Sequence, residues 1–343
     1  MKTIYLHIGQ TKTATTTLQA FFFENRNWLH DNGIYYPECP EAHPIKTQHR
    51  FLVESIAGLN LPFPDRIGAW DYLEKKIDAS DRDKILISEE VFWHLFEKRP
   101  AGRKSAIQWI RQRLGNLDVK IICYLRRQDK WIESWYNQIV KTDVNALSRL
   151  EYMDFIQTYR DYGLLNYSEA LQPWSDVFGE ENLFVRPFEK SRFLNGDIIA
   201  DFMSILGCEV SDSLTRPKDQ QVSLCNSACE LSLLFNRTPQ AAEFKKRFMR
   251  VIKQYDADVI DNRRFTSKEL SESLLREFED SNRQLASKYA KGGDDFFDFA
   301  LAGYEHGEYP GLSVQELANF MIYLFQEQQT QIRGLRKRLQ DIE

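Results

Sequence analysis

The sequence predicts an α/β protein, a three-layer sandwich around a central parallel sheet, followed by a mainly helical C-terminal part. Three observations carry that expectation. Short continuous apolar runs at 84–88 and 119–125, with a further strand at 182–186, read as strands buried on both faces, as in parallel sheets. These runs alternate with helical stretches of ten or more residues, the pattern of strand–helix–strand units. From about residue 223 the apolar residues recur at helical spacing in strongly charged sequence.

In chain order, Ile4, Leu6 and Ile8 form a first strand that ends at Gly9, and a polar turn leads into a helix over 13–30. Leu18, Phe21, Phe22, Trp28 and Leu29 recur there at helical steps, and Asp31-Asn32-Gly33 stops the run. Residues 34–37 read as a short second strand or extended edge, and 38–64, rich in Pro and His, as an irregular approach to a helix around 47–57. Helices follow at 65–79 and 102–114, on either side of the strand at 84–88. After the strand at 119–125 come helices at about 129–141, 152–160 and 167–178. The strand at 182–186 is closed by Pro187, and a helix spans 197–206.

This divides the chain into an α/β domain over 1–310, helical from about 223, and a helical tail over 311–343. In the tail Leu317, Met321, Leu324, Gln328, Ile332, Leu335, Leu339 and Ile342 stand at heptad-like steps. The tail is thus either a helix packed on its own domain or a coiled coil that would make a homodimer.

Composition excludes several function classes. The 343 residues are 43% apolar, enough for a sizeable core. No run of about eighteen apolar residues is present, so a membrane span is not expected, and the opening lacks a basic region followed by an apolar core, which gives the expectation of a cytoplasmic protein. Five cysteines at irregular spacing suggest neither a disulfide framework nor a zinc site, and Cys225 and Cys229 on one helix face read as core packing. The net charge of −5 disfavours a nucleic-acid binder but leaves room for a local basic pocket.

The chemistry concentrates in Gly9-Gln10-Thr11-Lys12-Thr13-Ala14-Thr15-Thr16-Thr17. A helix that begins after such a turn presents unpaired N–H groups and the positive end of its macrodipole to an anion. Lys12 adds a full charge and the threonines add hydroxyl donors. A Walker A loop needs Gly, four residues, then Gly-Lys-Ser/Thr; here a single glycine precedes the lysine by three positions, so the turn is tighter. Strand, polar turn and helix are a common combination, and a second signal is needed. The strand at 119–125 supplies one: it ends in Arg126-Arg127, where open α/β sheets bind ligands, and Ser134 in the next helix can point back toward the same place. A guanidinium fork with a hydroxyl suits a phosphate monoester.

The opening stretch resembles the 5′-phosphosulfate loop of the sulfotransferases, in particular the bacterial carbohydrate-type branch. His7-Ile8-Gly9, Lys12-Thr13 and Thr15-Thr16-Thr17-Leu18-Gln19 match that pattern, and Ala14 stands where it has Gly. Ala suits the position if residue 14 is in right-handed helical geometry. Arg126 and Ser134 reproduce the family's 3′-phosphate pair, with Gln128 in place of its usual Pro, and 84–92, 166–179 and 185–189 are similar too, so the resemblance covers roughly residues 1–300.

The resemblance implies a P-loop-like fold and transfer of a sulfuryl group from 3′-phosphoadenylyl sulfate to a hydroxyl or amine, on a carbohydrate or glycolipid, without a metal. Adenosine 3′,5′-bisphosphate is then the product. Gly9, Lys12, Thr13, Ala14, Thr15, Thr16 and Thr17 would hold the 5′-phosphate, and Lys12 would also offset charge growing on the leaving oxygen. The acceptor needs a base. Glu90 is the first choice, with Glu89 beside it as a helix-capping carboxylate. His49 competes as a base, its alternative being a solvated loop histidine, while His7 reads as a core residue or a brace for the loop. Two other readings stand: a magnesium-dependent kinase or NTPase with a divergent loop, and a non-catalytic nucleotide-binding protein.

Overall fold

In the computed structural model of the chain, residues 2–59, 63–95, 101–211, 213–217, 223–259, 261, 263–290, 294–301 and 307–340 are described. The strands are β1 (Thr3–Gly9), β2 (Ile34–Tyr35), β3 (Lys84–Ser88), β4 (Asp118–Leu125) and β5 (Leu183–Pro187). The first helices are α1 (Thr15–Glu24), α2 (Arg26–Asp31), α3 (Arg50–Ile56), α4 (Arg66–Ala79) and α5 (Ala101–Arg113). After β4 come α6 (Gln128–Thr142), α7 (Tyr152–Asp161) and α8 (Tyr167–Phe178), and after β5 α9 (Ile198–Ile205). The rest is helical: α10 (Asn226–Asn236), α11 (Ala241–Asp258), α12 (Lys268–Glu277), α13 (Glu279–Tyr289) and α14 (Val314–Gln340).

The chain forms two compact units. The first comprises Met1–Gln128, Thr158–Gln220 and Arg276–Phe299. Its five strands are ordered β2-β3-β1-β4-β5 and every pairing is parallel. The register sets His7 opposite Ser88 on one side and Ile122 on the other, with an irregularity between His7 and Gly9. Side chains alternate across the sheet. Leu86, Ile122 and Tyr124 face Leu18, Phe21 and Phe22 of α1 and Phe202 and Met203 of α9 in one buried cluster. On the other face α8 lies against β4 and β5, with α5 and α13 beside it. The predicted α/β/α layering is therefore present.

Because the chain leaves β1 toward the β2 edge and leaves β4 toward the β5 edge, the loops after these neighbouring strands diverge. Such a divergence opens a crevice at the carboxyl ends, the usual ligand position in this kind of sheet.

The second unit, Asp129–Gln157, Gln221–Leu275 and Ala300–Glu343, is helical. Its core holds Tyr136 against Tyr152, Phe155 and Phe265, and Phe235 stacked on Phe248. The buried Asn236 donates to the carbonyls of Val140 and Ser148. Phe320 of α14 is buried against Phe248 and Tyr255. Burial of Phe320 joins the last helix to this unit, so the boundary expected at 310/311 is not where the chain divides, and 129–157 leave the α/β unit as well. Leu317 and Met321 of the expected heptad are exposed; Ile342 and the side chain of Leu339 lie outside the described residues.

The first helix differs most from the reading of the sequence, and the one expected around 47–57 begins only at Arg50. The helix expected over 13–30 is two helices, broken at Asn25, whose amide exchanges hydrogen bonds with the backbone of Thr215. Its first residue is Thr15. Among the described residues no helix is long and apolar enough to cross a membrane.

Candidate anion-binding loop and carboxylate pair

β1 runs out at Gly9, which has φ +116. A side chain there would place Cβ 2.9 Å from the carbonyl oxygen of Glu90, so only glycine lets the backbone pass. The Gly9–Gln10 peptide is cis, and Lys12 (φ 65) and Ala14 (φ 58) are left-handed. Ala14 is thus not in right-handed geometry; it is the residue before α1 and contributes no side-chain cap. Left-handed residues within a turn direct backbone N–H groups into a shared concavity. Directly behind it lies the N-terminus of a ten-residue helix.

Not every threonine hydroxyl faces that concavity. Thr13 Oγ1 donates to the Gln10 carbonyl at 2.6 Å, and Thr11 Oγ1 lies 3.0 Å from His94 Nε2. Thr11, Thr13 and Thr15 are buried, Lys12, Ala14 and Thr17 half-buried and Thr16 exposed. Thr11 and Thr13 use their hydroxyls to shape the loop.

The fully buried Gln10 ties the loop to the tip of β4: its N–H donates to the Tyr124 carbonyl at 2.9 Å, and its Oε1 accepts from the Arg126 N–H at 3.1 Å. The Tyr167 hydroxyl in turn donates to the Arg126 carbonyl at 2.7 Å. The loop after β1 and the arginine after β4, more than a hundred residues apart in sequence, are therefore neighbours on one sheet edge. Ser134 lies in the second turn of α6, within the second unit.

The end of β3 brings up the carboxylates. Glu89 is wholly buried, and its Oε1 caps the short helical turn Glu90–His94 by accepting from the Val91 N–H at 3.0 Å. Arg50, from α3, sets Nε 3.0 Å from Glu89 Oε1 and Nη2 3.3 Å from Glu90 Oε1. Gln19, one turn into α1, donates to Glu90 Oε2 at 2.6 Å. Burial first, and the neighbouring Glu90 next, push the Glu89 carboxyl up to about 8 against the pull of Arg50.

His49 is not a solvated loop residue. It is fully buried: the Ser88 N–H donates to its Nδ1 at 3.1 Å and its Nε2 faces the Pro37 carbonyl at 3.1 Å, which places the proton on Nε2. Burial lowers its pKa to about 4. With both ring nitrogens engaged by backbone, it braces the segment 37–50 against β3. His7, also buried, has Nδ1 2.8 Å from Ser88 Oγ and a pKa lowered by burial to about 3.

The sequence placed Lys12, Ala14, Arg126, Glu89 and Glu90 on loops and strand ends that the fold gathers along one edge. It missed Gln10, Gln19, Arg50 and Tyr167, which hold them there. Arg50 and Gln10 were adjacent to residues singled out, but no local pattern announces a contact across the sheet.

The first unit is a parallel α/β scaffold whose carboxyl edge combines an anion-type loop with a buried carboxylate–arginine cluster. No family model matches the chain. An uncharacterised protein of Archaeoglobus fulgidus is 29% identical over 213 residues, 60% of this chain and 53% of the relative, so the chain spans about half the length of that curated relative. Among solved structures, the crystal structure of a sulfotransferase from Alicyclobacillus acidocaldarius is similar over 82% of this chain and 94% of that one, with a TM-score of 0.43 and 17% identity.

Proposed function

We propose that the protein transfers a sulfuryl group from 3′-phosphoadenylyl sulfate to a hydroxyl or amine acceptor, of the carbohydrate or glycolipid class. The observation that supports this most is the bridge made by Gln10: a loop suited to one phosphate is fixed beside an arginine suited to another. A nucleotide phosphorylated at both ends of its ribose carries two such groups. The loop fits the 5′-phosphate because α1 begins without a side-chain cap, leaving its dipole to an anion.

On this reading Lys12 and the N–H groups from Thr13 to Thr17 hold the 5′-phosphate, and Arg126 holds the 3′-phosphate. The acceptor oxygen forms a bond to sulfur as the bond from sulfur to the bridging oxygen breaks. Its proton passes to Glu90, and the electron pair left on the phosphate is balanced by Lys12. Arg50 and Gln19 orient the Glu90 carboxylate. His49 has both ring nitrogens engaged by backbone, and Glu89 is wholly buried with one oxygen given to the turn and to Arg50, so their part is positional.

The test is calorimetry with adenosine 3′,5′-bisphosphate in the presence of a chelator, together with transfer of labelled sulfate to a panel of saccharides. Expected are magnesium-independent binding and, in Lys12→Ala, loss of transfer by at least about a hundredfold with the fold retained. Binding only of ATP with magnesium would move the protein to the kinase reading. No bisphosphate binding at millimolar ligand would remove the proposal.

A further inference from the structure

Helix α14 has a second apolar face that nothing among the described residues of its own unit covers. At 100° per residue, the face packed on α11 runs through Glu316, Phe320, Leu324, Glu327 and Gln331, fastened at its polar positions by Arg263 to Glu316 and Arg250 to Glu327. About 110° around the helix lies a different line, Val314, Ala318, Met321, Phe325, Gln328, Ile332 and Leu335. Its steps alternate four and three without interruption, the repeat of a coiled-coil seam. The heptad read from sequence mixed the two lines by taking Leu324, which the fold turns toward α11.

Exposure separates this seam from the rest of the surface. Val314 is 85% exposed, Met321 46%, Phe325 59%, Ile332 41% and Leu335 59%. Of the fifteen large apolar side chains exposed among the described residues, seven lie on this one helix. A surface element with that density of apolar side chains in strict heptad order is half of an interface.

We propose that the seam pairs with the same seam of a second copy of this chain, as a parallel two-stranded coiled coil. The self-complementarity is in the layers: five of the seven are large apolar residues, and the one strongly polar layer, Gln328, meets its own copy only when the two helices run parallel and in register. In the antiparallel arrangement a d position faces an a position, and Gln328 would be buried against Phe325 or Ile332 with no amide to bond. The flanking positions agree: Leu317, Ile322, Leu324 and Gln329 are uncharged, and the first charge, Arg336, meets Gln331 of the copy, so no like charges are opposed. A 27-residue helix is about 40 Å long, and pairing over that length buries on the order of 1,400 Å² in total, the size of a stable specific interface.

The test is sedimentation equilibrium of the full chain over a concentration series. The native chain should be a dimer, and Phe325→Glu combined with Ile332→Glu should raise the dissociation constant at least a hundredfold while far-ultraviolet circular dichroism keeps its helical signal. Gln326→Glu, on the face away from both lines, should leave the dimer unchanged. Gln328→Cys should form a disulfide-linked dimer under mild oxidation that the native chain does not form. A native chain that stays monomeric at 100 μM, or a dimer indifferent to the two seam charges, overturns the proposal. A dimer that persists while Gln328→Cys fails to cross-link overturns the parallel register.

Discussion

Replacing Ala14 by glycine changes sign according to the backbone at that one position. At φ 58 and ψ 25 an L-residue with a β-carbon is held where it crowds its own carbonyl, at a cost of about 1–2 kcal/mol. Glycine removes that cost but loses about 0.5–1 kcal/mol more chain entropy on folding. The expected balance for Ala14→Gly is a gain of about 0.5–1 kcal/mol. Were residue 14 in the first turn of a right-handed helix, the same change would lose about 1 kcal/mol. Ala20, inside α1, provides that contrast in the same helix, and Ala20→Gly should be destabilising by about that amount. The assay is urea unfolding of the three proteins, read at a probe in the first unit, with hydrogen exchange at Thr15–Leu18 to localise the effect. Ala14→Gly falling with Ala20→Gly would refute the left-handed assignment and the loop geometry built on it.

Gly9→Ala should destabilise by about 2–4 kcal/mol, because the new methyl meets the Glu90 carbonyl oxygen at 2.9 Å in a φ range closed to alanine; thermal unfolding reads this directly. Arg126→Ala should weaken bisphosphate binding by about tenfold to a hundredfold, and unchanged affinity by calorimetry would retire the 3′-phosphate assignment. Stability should peak near about pH 6.5. As pH falls from about 6.5 toward 4, unfolded chains take up protons that buried His7 and His49 refuse, so stability is lost; as pH rises from about 4.5 to 8, the unfolded chain loses a proton that folded Glu89 keeps, so stability is again lost. Glu89→Gln should therefore flatten the limb between about pH 6.5 and 8 by about 1.4 kcal/mol per pH unit, and an unchanged slope in urea titrations would show Glu89 already ionised.

The strands were legible because their signal is local. Continuous apolar runs of five to eight residues between turns have few alternatives, and β3, β4 and β5 fall within a residue of the runs that predicted them. The left-handed residues were not legible. Nothing in Lys12 or Ala14 favours positive φ; contacts distant in sequence impose it, through Gln10 to β4 and Thr11 to His94. The break at Asn25 has the same origin, since its amide is claimed by Thr215. His49 misled for the converse reason. Its Pro- and His-rich neighbourhood reads as solvated loop, but Tyr36 packs on its ring at 4.8 Å and β3 supplies backbone partners, so the imidazole is interior. The interleaving of two units left no trace in composition at residue 129 or 157.

A pair of adjacent carboxylates at a strand end is ambiguous in sequence, since either can serve as cap or as base. In the fold the two differ in burial. Arg50 lies between them, 3.0 Å from one and 3.3 Å from the other, yet burial and the neighbouring Glu90 still hold the Glu89 carboxyl up at about 8. Glu89, with no exposed surface, spends one oxygen on the Val91 N–H and on Arg50. Glu90, 13% exposed, is held by the side chains of Arg50 and Gln19 and keeps contact with solvent. The same residue's carbonyl is the one that only a glycine at position 9 can approach. The backbone contact that shapes the anion loop therefore also sets the distance from that loop to the carboxylate. On the proposed reading, in which the loop grips the 5′-phosphate and Glu90 is the base, a substitution at Gly9 should move both, whereas one at Gln19 should move the base alone.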